Sequence, residues 1–169
     1  TIENETISLE NLLKNLPFEN VTYYFNLTFL SIDFINKLNE FATHNKAIFI
    51  IQIDPIGQLA KDGNWFKNLE SDFKLLNQIK SKTSFLSIQS GIYQNAGANM
   101  VQQLAYTLAH VNEYFNRIED LNQPITIEVS VGTNYFFEIA KLRALRVLFN
   151  TLAKEYNHSH ECHIIATPT

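Results

Sequence analysis

A chain of 169 residues, 46% hydrophobic and 18% charged, is long enough to bury one substantial core and too apolar to stay disordered. Thirteen Phe and seven Tyr against five Gly and four Pro exclude a fibrous or low-complexity protein. The formal net charge of -4, with its thirteen basic residues scattered, argues against a surface that tracks nucleic-acid phosphates.

Cys162 is the only cysteine, so no internal disulfide can form, and a cytoplasmic setting is expected. No apolar run approaches the ~20 residues that span a bilayer. The chain opens on Thr1 and closes on Thr-Pro-Thr directly after an apolar run. That is expected of one α/β domain, residues 1–169, excised from a longer polypeptide.

Ile2, Ile7, Leu9, Leu12, Leu13 and Leu16 have partly helical spacing and stop at Pro17, which predicts a short leading helix. The β-branched and aromatic run from Val21 to Phe29 predicts the first strand, and the period from Ile32 to Phe41 a helix after it. Ala47 to Ile53 is almost continuously apolar, as a strand covered on both faces requires. Asp54-Pro55 ends it, since Asp caps a helix N-terminus and Pro has its φ set for the first helical position.

Phe73, Leu75, Leu76 and Ile79 mark a helix before the third strand, Ser84 to Gln89, and Gly91 to Ala98 reads as a tight loop. Met100, Leu104, Leu108, Val111 and Phe115 recur at helical spacing behind a capping box made by Asn99 and Gln102, and Pro124 is expected to break this helix off. Ile125 to Val131 alternates as a fourth strand. The helix from Tyr135 to about Tyr156 is apolar over more than half its circumference, which predicts deep packing, and Cys162 to Ala166 makes a fifth strand. Within that helix Glu138 and Lys141 are spaced to pair, and Lys141, Arg143 and Arg146 read as a solvated or barrel-facing edge.

Strand and helix alternate throughout without hairpin signals, so the architecture is expected to be parallel α/β. Three stretches carry a family resemblance. They are Tyr93 to Phe115 (YQNAGANMVQQLAYTLAHVNEYF), Gly132 to Phe149 (GTNYFFEIAKLRALRVLF) and, more weakly, Asp54 to Gly63 (DPIGQLAKDG). The first two, in this order, resemble the substrate-binding barrel of methylmalonyl-CoA mutase, and the third looks like the small, non-catalytic subunit of two-subunit bacterial forms.

The resemblance implies a partial (β/α) TIM-type barrel of about five parallel strand-helix units, incomplete relative to eight. It implies an isomerase that interconverts succinyl-CoA and methylmalonyl-CoA with adenosylcobalamin and threads the CoA along the barrel axis. This chain lacks the family's cobalamin motif, DxHxxG, so the cofactor belongs to the parent enzyme and none is expected on the fragment, which is expected to be inactive alone. The expected partner is the catalytic large subunit, with self-association of the fragment through open sheet edges.

Ligands of α/β barrels lie at the carboxyl ends of the strands. In the family's catalytic subunits the loop after the third matching strand carries a Tyr-His pair, and aligning Ala96 to Ala98 puts Gly91 and Ile92 in its place. A family arginine that contacts the acyl-CoA falls at Pro124. No catalytic residue carries over, although a one-residue shift of the loop would put Tyr93 in the position of the active tyrosine. Tyr93, Gln94 and Asn134 match family turn positions, and two readings of them stand: substrate contact in a vestigial acyl-CoA pocket, or ordinary turn chemistry.

Asp54 reads as an N-cap before it reads as a catalytic group. His158, His160, Cys162 and His163 are the one cluster with ligand chemistry, but i, i+2 spacing without a second ligand pair argues against a metal site. A rival reading of the whole chain is a stand-alone flavodoxin-like binding or regulatory domain, which strand order would separate from a barrel.

Overall fold

The structure, a computed structural model, describes residues 1–80 and 86–168. Five parallel strands alternate with helices: β1 Thr22–Asn26, β2 Ile48–Gln52, β3 Ser87–Gln89, β4 Thr126–Val131 and β5 His163–Pro168. The helices are α1 Leu9–Leu12, α2 Ile32–His44, α3 Pro55–Asp62, α4 Leu69–Ile79, α5 Gly91–Asn95, α6 Met100–Arg117 and α7 Tyr135–Glu155. β1 pairs with β2, and β3, β4 and β5 form a second ladder in that order. Among the described residues a parallel bridge from Ile53 to Leu86 joins the two, so the strands lie side by side in chain order.

Local chemistry accounts for the helix starts. Ser31, Asn68 and Asn99 each accept a backbone N–H of the first turn of α2, α4 and α6, and Gln102 returns a bond to the Asn99 amide, completing the capping box. Asp54 caps α3 with Pro55 in its first turn, and Gly63 ends it at φ 75°, a left-handed conformation that suits glycine.

The two faces of the sheet differ in chemistry. Register puts Phe25, Ile51, Ile53, Leu86, Ile88 and Ile127 on the face toward the helices, where all are buried. There they meet Ile35 and Leu38 of α2, Leu76 of α4 and Val111 of α6 in one apolar cluster. Burying a side chain of this size is worth about 1.5–3 kcal/mol, so this layer holds the sheet. The opposite face carries Ser87 and Gln89 of β3, Thr126, Glu128 and Ser130 of β4, and His163 of β5, with Ile50 of β2 and Ile165 of β5 as apolar members. The Tyr24 hydroxyl on β1 reaches His163 Nε2 at 3.1 Å with the rings stacked, so this face is concave and its first and last strands confront one another.

Several elements depart from the sequence reading. The leading helix shrinks to the four residues of α1, because Ile2 instead pairs with β1, its N–H donating to the Asn26 carbonyl and its carbonyl accepting from Thr28. That contact covers part of the β1 edge. Gly91 to Ala98 is not an open loop: it contains α5, with Gly97 at φ 90° in the turn that follows. Helix α6 ends at Arg117 rather than at Pro124, since Ile118 turns extended to bury its side chain. The third strand is described from Leu86 onward, its expected start at Ser84 and Phe85 lying outside the described residues.

The largest departure is α7. Of its apolar residues only Leu145, Phe149 and Ala153 are buried, whereas Tyr135, Phe136 and Phe137 are 70%, 81% and 60% exposed and Val147 65%. A helix apolar all round needs neighbours on both flanks. α7 packs against α6 on one side, and among the described residues no helix flanks the other. The outer edge of β5 is likewise without a strand partner among the described residues.

Candidate functional site

At the carboxyl end of β2 and β3 a buried polar network is built around Asp54, which is 2% exposed. Its Oδ1 accepts from the Gly57 amide at 2.8 Å, from His110 Nε2 at 2.9 Å and from the Tyr114 hydroxyl at 2.7 Å. Its Oδ2 accepts from the Gln89 amide at 2.7 Å. Tyr114 in turn accepts from the Ile56 amide, and His110 Nδ1 lies 3.0 Å from the Tyr93 hydroxyl. One carboxylate thus ties α3, the end of β3, α5 and α6 together.

Sequence explains each member. His110 and Tyr114 sit one turn apart on the buried stripe of α6, so both polar groups are carried inward. The glycine of Asp-Pro-Ile-Gly is required by crowding, because a Cβ on Gly57 would overlap the Asp54 carboxylate. Burial works against the Asp54 charge, but the facing His110 and the hydrogen bonds from His110, Gln89 and Tyr114 prevail and hold its pKa below the ordinary carboxylate range. Nε2–H donates to the carboxylate, and Nδ1 on the far side of the ring meets the Tyr93 hydroxyl.

The network orients groups without activating a nucleophile. Burial, then the charge of Asp54, pushes the Tyr93 phenol up to about 12, and the same causes raise Tyr114 well above its usual value. A phenolate is therefore disfavoured at both positions.

Tyr93 and Gln94 both lie in α5, above the end of β3, and Asn134 stands at the start of α7, exposed and with no side-chain bond to that helix's first turn. The structure brings Tyr93 to Asp54 through His110 and leaves Asn134 apart on the neighbouring turn. Beside it Lys141, buried within α7, is held by Glu138 at 2.6 Å, by Gln103 of α6 at 3.1 Å and by the Ser130 carbonyl at 2.8 Å. The expected Glu138–Lys141 pair is present, but Lys141 is a buried tie between α6, α7 and β4, not a solvated edge. Arg143 and Arg146 are exposed.

Sequence reasoning missed His110, Tyr114 and Glu128. The first two were legible as polar residues on an apolar stripe, which must find a partner, and Asp54 had acceptor capacity beyond its cap bond. Glu128 follows from alternation, standing between the buried Ile127 and Val129 on the concave side. In the 158–163 cluster His158 Nδ1 donates to the Leu121 carbonyl at 2.9 Å among aromatic rings, with the His160 ring edge-on 5.7 Å away, while His163 turns to Tyr24. A hollow of about 860 Å³ between α1 and α2, lined among others by Leu13, Phe18, Lys37 and His44, lies at the amino end of β1, away from this network.

No helix among the described residues is long and apolar enough to cross a membrane. Comparison with known proteins gives the family. The chain is 38% identical over 82 residues to methylmalonyl-CoA mutase of Cereibacter sphaeroides, a stretch covering 44% of this chain and 12% of that protein. It is 30% identical over 83 residues to the methylmalonyl-CoA mutase small subunit of Porphyromonas gingivalis, and 30% over 91 residues to the large subunit of the same organism. Those stretches cover 45% and 50% of this chain and 13% of either relative. The matched portion is thus about an eighth of each relative's length. The model of the methylmalonyl-CoA mutase family matches residues 6–167, nearly the whole chain, and the protein belongs to that family of isomerases.

Proposed function

We propose that this chain is part of the acyl-CoA-binding barrel of an adenosylcobalamin-dependent methylmalonyl-CoA mutase, in the small, non-catalytic subunit, where it pairs with and supports the catalytic subunit. The parent enzyme interconverts succinyl-CoA and methylmalonyl-CoA. The observation that carries the reading is the polarity of the concave face. Barrel interiors are ordinarily filled by bulky branched residues, whereas the partly exposed Gln89, Glu128 and Ser130 suit a polar ligand at the carboxyl half of the central strands. The run of strands in chain order, without the reversal of a doubly wound sheet, favours an incomplete barrel over a flavodoxin-like domain.

The non-catalytic role is supported at the loop after β3. Gly91 and Ile92 stand where catalytic subunits carry a Tyr-His pair, and a Cβ on Gly91 would lie 2.7 Å from Ser130 Oγ, so a tyrosine there requires Ser130 to move. Ile92 and Pro124 have no side-chain donor for a thioester carbonyl, so neither position supplies electrostatic stabilisation of the migrating group. The residues do not fit adenosylcobalamin either. His110, facing a carboxylate as a cobalt ligand would, is enclosed with both ring nitrogens engaged.

In this reading Tyr93, Gln94 and Asn134 form the rim of a vestigial acyl-CoA pocket, and the β5 edge with the exposed face of α7 is where the isolated chain self-associates. The test is to mix the chain with a catalytic large subunit and follow mass by light scattering and turnover of succinyl-CoA. A stable complex, with no turnover by this chain alone, is the expected result. Turnover by the chain alone, or no complex across a wide concentration range, overturns the reading.

A further inference from the structure

The concave face carries one cross-connection that its polar lining does not require. Tyr24, the third residue of β1, bonds His163, the first residue of β5, at 3.1 Å, with ring centroids 6.0 Å apart and planes 13° from parallel. These strands are not neighbours in the ladder, so the contact crosses the hollow of the sheet. His163 is level in register with Thr126, the first residue of β4, which is level with Ser87, the first of β3. The crossing therefore lies toward the amino-terminal end, below Gln89, Glu128 and Ser130.

An eight-stranded barrel is just wide enough inside for side chains to fill it. A phenol and an imidazole that reach one another from facing strands take up that width. The bond is indifferent to protonation, because the phenol donates to a neutral imidazole and accepts from a charged one.

We infer that Tyr24 and His163 bar the axis of the sheet and are what excludes a threaded acyl-CoA from this chain. The inference rests on the acyl-CoA-barrel reading given above. A pantetheine-sized arm threaded along these strands would have to displace the pair, while the polar rim at the carboxyl ends stays open to a short polar group. Tyr24 and His163 are thus specificity-determining residues that act by occupying the path of the ligand.

Two measurements test this. The ring-nitrogen NMR shifts of His163 are compared between the native chain and Tyr24→Phe, which keeps the ring and removes the hydroxyl. A shift at Nε2 is expected, and unchanged shifts overturn the inference whatever the ligand does. CoA is then titrated calorimetrically into the native chain, Tyr24→Ala, His163→Ala and the double variant, each with its melting curve. Both side chains are exposed, so folding is expected to survive. The double variant is expected to bind CoA at least about tenfold more tightly than the native chain. Equal, measurable binding by both overturns the bar and leaves the acyl-CoA reading standing. Silence from every variant, with the NMR contact present, overturns both.

Discussion

Asparagine at position 54 keeps the shape of the side chain and removes its charge, which makes Asp54→Asn the sharpest probe of the buried network. Four donors converge on the carboxylate, three on Oδ1 and the Gln89 amide on Oδ2 at 2.7 Å. If the amide oxygen stays with the three, the new NH2 faces the Gln89 N–H and two donors oppose each other without water, a cost of about 1–3 kcal/mol. The bonds from His110 and Tyr114 also lose their charge assistance, about 1 kcal/mol each. The sum, about 3–5 kcal/mol, is a large share of the 5–15 kcal/mol that holds a domain together. Asp54→Ala, which strips every donor of its acceptor, should cost about 3–5 kcal/mol.

The pH dependence carries the sign. The folded pKa of Asp54 lies below its unfolded value, so the unfolded state takes up the proton first as pH falls. The stabilisation is complete above the unfolded pKa of about 3.9 and is lost as pH drops through the folded value. Urea unfolding followed by the fluorescence of Trp65, which packs edge-on against Phe73, reads both quantities. The gap between native chain and Asp54→Asn should be widest near neutral pH and shrink in acid. Midpoints that coincide at neutral pH, or a gap that persists unchanged at about pH 3, would refute the reasoning.

Gly57→Ala attacks the same network from the backbone side: its Cβ pushes into the Asp54 carboxylate, and thermal melting should show a loss of about 1–3 kcal/mol where a simple helix-propensity argument predicts a gain. Tyr93→Phe removes one bond to His110 and should cost about 1 kcal/mol. It should also remove the phenol that ionises near about 12 in an ultraviolet titration, and with it stability that is present below about pH 10 and lost as pH rises toward about 12. On α7, Phe136→Lys and Val147→Lys should leave the melting temperature nearly unchanged, since both residues are exposed, yet lower the mass seen by light scattering at high concentration. A monomeric native chain would refute the proposed contact face.

Elements governed by local chemistry were legible from sequence. The Asp54-Pro55 cap, the Asn99–Gln102 box and the apolar run of β2 depend on residues within a few positions of each other, and the structure has them where the sequence puts them. The misreadings share a different origin. Ile2 looks helical by spacing, but its backbone is claimed by an edge of β1 more than twenty residues away, and α6 stops early because Ile118 gains more by burial than by another helical turn. The composition of α7 announces a surrounded helix, and sequence alone says nothing of which neighbours are present to surround it.

The site was legible in the same proportion. An Asp before a Pro predicts a cap, and a cap bond uses one oxygen of a carboxylate. What local reasoning leaves open is the remaining acceptor capacity, and here it is filled from fifty-six and sixty residues away by His110 and Tyr114. The capping Asp is therefore also the joint between two successive strand-helix units. That explains why a network resembling a hydroxyl, imidazole and carboxylate relay raises the phenol pKa instead of lowering it: Asp54 is saturated by donors, its charge repels a phenolate, and the geometry stores orientation rather than reactivity. The partly exposed polar groups Gln89, Glu128 and Ser130 lie on the other side of the sheet, where strand alternation puts them, and in the proposed reading the Tyr24–His163 crossing sets how far a ligand can reach.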